Sequence, residues 1–287
     1  MDLASTRDLL PRVIWRDAVG STNAELRELA RSEELPHGTL LATADQTAGR
    51  GRLERGWVTP PGKSLATSIL IRGFAGSGSV AAGSGPGSAL GPGWLPLLVG
   101  SAMAASLQPR FPEGLRVGVK WPNDVHVRDE EDAIAGRPGQ KLCGILCEML
   151  PDGSIIVGAG INVLVDEWEL PTERATSLLA AGAEVNGAES LEDGPGPALA
   201  DALLSDYASR LLSVVELAAG DPDSARVRVR RSSLTLGAEV RVHLPGGEIV
   251  DGRARDLAED GSLVVDLPTG GMLTVSAGDV EHLRSRD

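Results

Sequence analysis

Two apolar segments, KLCGILCEML (141 to 150) and SIIVGAGINV (154 to 163), are separated only by the turn tripeptide Pro151-Asp152-Gly153. Both are rich in β-branched and apolar residues and too short to be separate buried helices, so they predict an antiparallel hairpin. LRVGVKW (115 to 121) precedes them as another strand, giving a meander, with VRDEEDAIAGRPGQ read as an acidic loop or hairpin turn between. The mostly apolar WLPLLVGSAMAASLQ (94 to 108) predicts a helix lying against that sheet. Upstream, Thr22 with Glu25 suggests a capping box that opens a helix with an apolar stripe of Leu26, Leu29 and Ala30. TLLATA (39 to 44) and SLATSILIR (64 to 72) read as strands, the second with apolar alternation. Residues 73 to 93 are Gly, Ser, Ala and Pro with almost nothing to bury, and are expected to be a flexible surface insertion. Further helices are expected around Thr176 to Ala181 and from Pro197 to Ala218. From about Leu236 short alternating strands follow one another at turn signals PGG, EDG and TGG, the grammar of a small barrel. The expected division is 1–232 and 233–287, an α+β chain in two units.

No apolar run reaches the 18 or so residues of a membrane span, and the N-terminus mixes charge through its apolar residues, unlike a signal peptide. A cytoplasmic location is expected. The net charge of −13 over 287 residues disfavours a polyphosphate backbone as a general partner. Cys143 and Cys147, four apart on one strand face, are too far apart for an unstrained disulfide and read as buried structural thiols. Lysine is scarce: Lys63, Lys120 and Lys141 are the only three among 27 basic residues. Where arginine is the default cation, a retained lysine points to a need for a compact charge that reaches a single phosphate oxygen.

Two of those lysines sit in polar motifs. Gln46-Thr-Ala-Gly49-Arg50-Gly51-Arg52 interleaves arginines with glycines, so backbone amides and guanidinium groups can surround a phosphate or carboxylate; a solvated turn is the plain alternative. It matches neither the dinucleotide fingerprint nor the Walker pattern. In Lys120-Trp121-Pro122-Asn123-Asp124, Pro122 restricts Trp121 and fixes a turn that ends a strand. Lys141 opens the next apolar strand, where a sheet would favour an apolar residue, and GAGIN (158 to 162) ends the one after with glycines that mark either a bulge or space for a ligand.

Taken together, STN (21 to 23), QTAGRGR, Gly56-Trp57, KWPND, KLCGIL and GAGIN, in this order, resemble the biotin protein ligases, with the likeness running from about residue 20 to 165. The resemblance implies a mixed central β-sheet flanked by helices, akin to class II aminoacyl-tRNA synthetases, with a C-terminal SH3-like β-barrel. It implies that biotin and MgATP form biotinyl-5′-AMP and pyrophosphate, and that biotin then passes to a lysine of a biotin carboxyl carrier domain of an acyl-CoA carboxylase. By the same resemblance Ser21, Thr22, Asn23, Gln46, Gly49, Arg50, Arg52, Lys141, Gly144 and Gly158 surround biotin. Arg50, Arg52, Trp57, Lys120, Asn123, Lys141 and Asn162 would hold ATP or the adenylate, with Trp57 stacking on adenine and Asn162 hydrogen-bonded to it. Arg50, Lys120, Lys141 and Asp124 carry the chemistry, Asp124 as the base for the acceptor amine. No Mg²⁺ ligands are assigned. The adenylate is a mixed anhydride that water would destroy, so the 49 to 56 loop is expected to order over it.

Only 20 residues precede Ser21, which implies the monofunctional type without a winged helix-turn-helix, binding no DNA and no membrane, as a monomer or homodimer. Leu53-Glu54 after GRGR and the uncharged 73 to 93 insertion depart from the family pattern. Rival readings are a lipoate ligase or octanoyltransferase, which needs an apolar tunnel where biotin needs hydrogen bonds, and a non-catalytic biotin-binding regulator.

Overall fold

The computed structural model describes residues 1–52, 56–74, 90–244, 247–276 and 279–283. Most of the expected 73 to 93 insertion, and the tip of the loop after GRGR, lie outside the described residues.

The chain runs through α1 (Ala4–Leu9), β1 (Val13–Trp15), α2 (Thr22–Ser32), β2 (Leu40–Thr43), β3 (Gly49–Arg50), β4 (Gly56–Trp57) and β5 (Ser64–Ile71). Then come α3 (Leu95–Leu107), β6 (Arg116–Lys120), β7 (Asp124–Arg128), α4 (Glu130–Ile134), β8 (Gln140–Met149) and β9 (Ile155–Asn162). It ends with α5 (Gly196–Gly220), α6 (Pro222–Ser232), β10 (Glu239–His243), β11 (Ile249–Leu257), β12 (Leu263–Asp266), β13 (Met272–Val275) and β14 (Asp279–His282). Seven strands form one mixed sheet in the order β1-β2-β5-β9-β8-β7-β6, in which only β1 and β2 run parallel. The expected hairpin is β8–β9, closing Met149 onto Ile155 across the Pro-Asp-Gly turn.

Both faces of this sheet are covered, and β5 shows the consequence. All eight of its residues are buried, so the expected alternation is absent from burial and survives only as a division of labour between faces. Leu65, Ile69 and Ile71 join the main core with α3 and α5, while Leu70 packs with Leu26, Leu35, Leu41 and Ile156 beneath α2. A strand covered on both sides loses the polar half of the period-two pattern.

Three expectations are corrected. Ser21, not Thr22, caps α2, its hydroxyl accepting from the Ala24 N–H. The acidic segment after KWPND is not all loop, because β7 pairs with both β6 and β8 before α4 begins. No helix forms at 176 to 181: the amides of Leu178 and Leu179 donate to the carbonyls of Asn162 and Val163, so they are spent on the end of β9. The N-terminal lead holds α1. The buried Asp201 of α5 accepts from the amides of Ser5 and Thr6 and from the Thr6 hydroxyl, anchoring a helix too short for its periodicity to register.

The C-terminal strands form an antiparallel sheet in the order β13-β12-β11-β10-β14. It docks on the larger unit through two tryptophans whose indole N–H groups donate across the boundary: Trp94 to the Glu259 carbonyl at 2.7 Å and Trp121 to the Gly261 carbonyl at 3.2 Å. Trp121 N–H also donates to Thr235 Oγ1, and Lys120 Nζ to the Val280 carbonyl at 2.8 Å. Thus the second unit grips the KWPND turn and one of the three lysines. Among the described residues, no helix is long and apolar enough to cross a membrane.

Candidate active site

Strand register builds the floor of the site. Ala66 on β5 faces Gly160 on β9, Gly160 faces Gly144 on β8, Gly144 faces Asp124 on β7, and Asp124 faces Lys120 on β6. Directly paired residues share a sheet face, so one row across the sheet runs from small residues to a carboxylate and an ammonium. A parallel row, Ser68–Gly158–Leu146, lies beside it. Above this trench stand the N-terminus of α2 and the β3–β4 hairpin, and together they enclose a cavity of about 170 Å³.

Of the expected site residues, Ser21, Thr22, Asn23, Gln46, Arg50, Arg52, Trp57, Lys120, Asn123, Asp124, Lys141, Gly144 and Gly158 all line this one cavity. Its lining combines two kinds of group. Thr22 donates from both its N–H and its hydroxyl to Gln46 Oε1, at 2.9 and 3.2 Å, which orients the carboxamide. Arg50, Arg52, Lys120 and Lys141 line the same cavity with a single carboxylate, Asp124. In a chain of net charge −13, such a cluster is a focused anion site.

The lysines are held differently. Lys120 is fixed by the Val280 carbonyl. Lys141 Nζ lies 2.7 Å from Asp124 Oδ1 and 5.7 Å from the Trp57 ring centroid. Burial pushes the Asp124 carboxyl up, but the Lys141 ammonium, joined by His126 when its facing nitrogen carries a proton, outweighs that and holds it well below the usual carboxylate range. In this arrangement Asp124 is the counter-ion of Lys141. Arg52 Nη1 donates to Asn123 Oδ1 at 3.2 Å, while Asn123 Nδ2 donates to the Ile145 carbonyl, so the loop cation is tied to the sheet.

Three expected residues sit elsewhere or do something else. Asn162 does not line the cavity: it is buried at the end of β9, where its Nδ2 donates to the Thr176 carbonyl. Gly49 is also outside the lining, in the β3–β4 hairpin, where a Cβ would meet the Trp57 carbonyl at 2.2 Å and Gln46 Nε2 at 2.5 Å. Asn23 lines the cavity but its polar atoms are committed to the protein. It accepts from Ser68 Oγ at 2.6 Å and donates to the Leu146 carbonyl and, at 2.7 Å, to Glu148 Oε2. Glu148 is itself paired with Arg27 of α2. Asn23 is therefore a brace between α2 and the sheet.

Sequence reasoning missed Gly160, Pro122, Ile145 and Leu146, which also line the cavity. Gly160 was legible, as the second glycine of GAGIN on the same strand face as the first. A Cβ there would lie 2.6 Å from Trp57 Cε2, and one at Gly144 would lie 3.1 Å from Cζ3, so the indole rests on a floor that tolerates no side chain. Gly160→Ala is expected to displace Trp57 and weaken ligand binding by about tenfold, at the lower end of overpacking costs. Ligand affinity measured by calorimetry on the variant checks this. Cys143 and Cys147 are both free, Cys143 buried as expected and Cys147 only half-buried, and burial pushes both thiols up, Cys147 to about 12, so both are protonated.

Comparison with known proteins agrees with this geometry. Residues 15–166 match the biotin/lipoate A/B protein ligase family and residues 235–283 match the biotin protein ligase C-terminal domain. The biotin–[acetyl-CoA-carboxylase] ligase of Mycobacterium tuberculosis is 35% identical over 266 residues, covering 92% of this chain and 86% of that protein. Among solved structures, the biotin protein ligase of Aquifex aeolicus in complex with biotin and ATP superposes with a TM-score of 0.66 at 26% identity, over 96% of this chain and all of the other. The Leishmania major biotin protein ligase in complex with biotinyl-5-AMP shares the fold, with a TM-score of 0.51 at 22% identity over 93% of this chain and 99% of that one. The mixed sheet with its trench of small residues and the appended β-module are thus those of a known group, and the chain belongs to the biotin/lipoate A/B protein ligase family.

Proposed function

We propose that this protein is an ATP-dependent biotin protein ligase, forming biotinyl-5′-AMP and pyrophosphate and then transferring biotin to a carrier lysine. The observation that carries it is one cavity lined both by uncharged hydrogen-bonding groups and by four cations. A neutral ureido group, with two N–H donors and one carbonyl, suits Ser21, Thr22 and Gln46. The four cations suit the carboxylate and the phosphates that must be brought together against their mutual repulsion.

In the first step the biotin carboxylate attacks the α-phosphorus, and the new charge on the phosphoryl oxygens falls among Arg50, Arg52, Lys120 and Lys141. Lys141 exchanges Asp124 for the substrate's oxygens, because a ligand carrying several negative charges outcompetes one carboxylate. Asp124 is thereby left free of its counter-ion and turned toward the second step. Among the described residues no group of three or more His, Cys, Asp and Glu side chains could hold a metal ion. Mg²⁺ is proposed to enter as the ATP complex, held by phosphate and water. The acceptor is proposed to be a biotin carboxyl carrier domain of an acyl-CoA carboxylase. Residues 1–232 are proposed as the catalytic unit and 233–287 as a unit that positions Lys120 from behind.

The test is pyrophosphate release from ATP with biotin, lipoate or octanoate added in turn. Release that depends on biotin alone is the expected result. Release with lipoate or octanoate would move the protein to the lipoyl branch, and biotin binding without release would make it a sensor.

A further inference from the structure

Behind Asp124, outside the cavity lining, lies His126. It is two residues along β7 and therefore on the same face, and it is 5% exposed. Its Nδ1 lies 3.2 Å from the Gly139 carbonyl. A carbonyl only accepts, so Nδ1 carries the hydrogen and Nε2 is left with a bare lone pair. That Nε2 is buried, has no hydrogen-bond partner, and points at Asp124 Oδ2 from 4.0 Å. A lone pair facing a carboxylate is unfavourable unless a proton comes to sit between them. His126 Nε2 can thus receive one proton, directly behind Asp124.

We infer that His126 is a proton-relay residue for the transfer step, taking through Asp124 the proton that the acceptor lysine must lose before it attacks the adenylate. The inference rests on the ligase reading given above. The acceptor ammonium has a reference pKa of about 10.4, and only its neutral form is nucleophilic. Once Lys141 has moved to the phosphate, Asp124 accepts this proton. An approach of about 1 Å brings the imidazole to hydrogen-bond length, and the proton passes to Nε2, whose lone pair forms the new N–H bond. The amine lone pair then forms the C–N bond to the acyl carbon, the C–O bond to phosphate breaks, and AMP leaves with that electron pair. The second amine proton goes to the departing phosphate or to water. The imidazolium left behind is paired with the Asp124 carboxylate.

The groups around His126 fit this role. Asp124 and Arg128 belong to its own strand, Lys120 comes from β6, Lys141 from β8 and His282 from β14. Burial keeps the imidazole below its ordinary value and the Lys120 charge adds to this, while Asp124 opposes them, so His126 rests neutral. The ordinary structural role of His126, its bond to the Gly139 carbonyl, is separable from the relay. Asparagine at this position retains a donor on the Nδ1 side and has no basic nitrogen.

The experiment compares wild type with His126→Asn in three assays: biotin-dependent pyrophosphate release, transfer to a purified biotin carboxyl carrier domain, and consumption of preformed adenylate by hydroxylamine. Hydroxylamine is already unprotonated near neutral pH and needs no base. Pyrophosphate release and hydroxylamine consumption should stay within about twofold of wild type, while carrier transfer at neutral pH falls about 10 to 100-fold, the lower range for loss of acid–base help. The transfer deficit should shrink as pH rises toward the free amine value of about 10.4. His126→Gln should show the same split, which covers the case of one variant folding poorly. Equal slowing of hydroxylamine and carrier would mean a purely structural histidine and would overturn the relay, as would no slowing of either. Absence of pyrophosphate release from wild type would instead remove the ligase reading itself.

Discussion

Lys141→Ala is expected to lower the rate of adenylate formation about 10² to 10³-fold, the usual effect of removing one group aimed at developing charge. Biotin affinity should change much less, because the hydrogen-bonding part of the lining is built by Ser21, Thr22 and Gln46 and not by the lysine. The variant has a second consequence that a generic loss of charge would lack. Lys141 is the ion-pair partner of Asp124 at 2.7 Å, so its removal takes away one of the influences that hold that carboxyl down, and it rises. Lys141→Arg is not expected to rescue the rate, since a planar guanidinium cannot make the same single-point approach beside the Trp57 ring. Pre-steady-state pyrophosphate release, with biotin affinity measured separately by calorimetry, checks both expectations. A variant within a few fold of wild type in adenylate formation would remove Lys141 from the chemistry.

Much of this site was legible because its chemistry is local. The GRGR and KWPND segments, and the lysine that opens β8, carry their polar residues in places where packing would not have chosen them. Such violations of the local rules are what a functional site looks like from sequence. What could not be read was long-range register. Nothing in the sequence places Gly144, Gly160 and Ala66 in one row with Asp124 and Lys120, since four separate strand pairings must be known to do it. The same reason hides Asn23. As part of STN it looks like a ligand contact, yet the partners that commit it, Ser68, Leu146 and Glu148, lie 45 to 125 residues away. Burial on both faces concealed the alternation of β5, and the 176 to 181 segment lost its helix to the carbonyls of β9.

Gly158→Ala should damage biotin binding. A Cβ at Gly158 would lie 2.3 Å from Asn23 Oδ1 and 2.9 Å from its Cγ, so one of the two must move. A free side chain would simply rotate away, but Asn23 is bonded on three sides, to Ser68, to the Leu146 carbonyl and to Glu148, which Arg27 holds in turn. Relief therefore comes from breaking that brace or from shifting the first turn of α2, and that turn carries Thr22 next to the capping residue Ser21. Either way the Thr22–Gln46 pair loses its register with the trench floor. Overpacking of this kind costs about 1 to 3 kcal/mol, so biotin affinity is expected to fall by about 5 to 150-fold with a lowered Tm. Asn23→Ala in the Gly158→Ala background makes the argument testable, because it removes the atoms that clash: thermal stability should be partly regained relative to the single glycine variant, while biotin affinity should remain low for want of the brace. If Gly158→Ala binds biotin like wild type, the brace is yielding freely and Asn23 is not what holds α2 over the site.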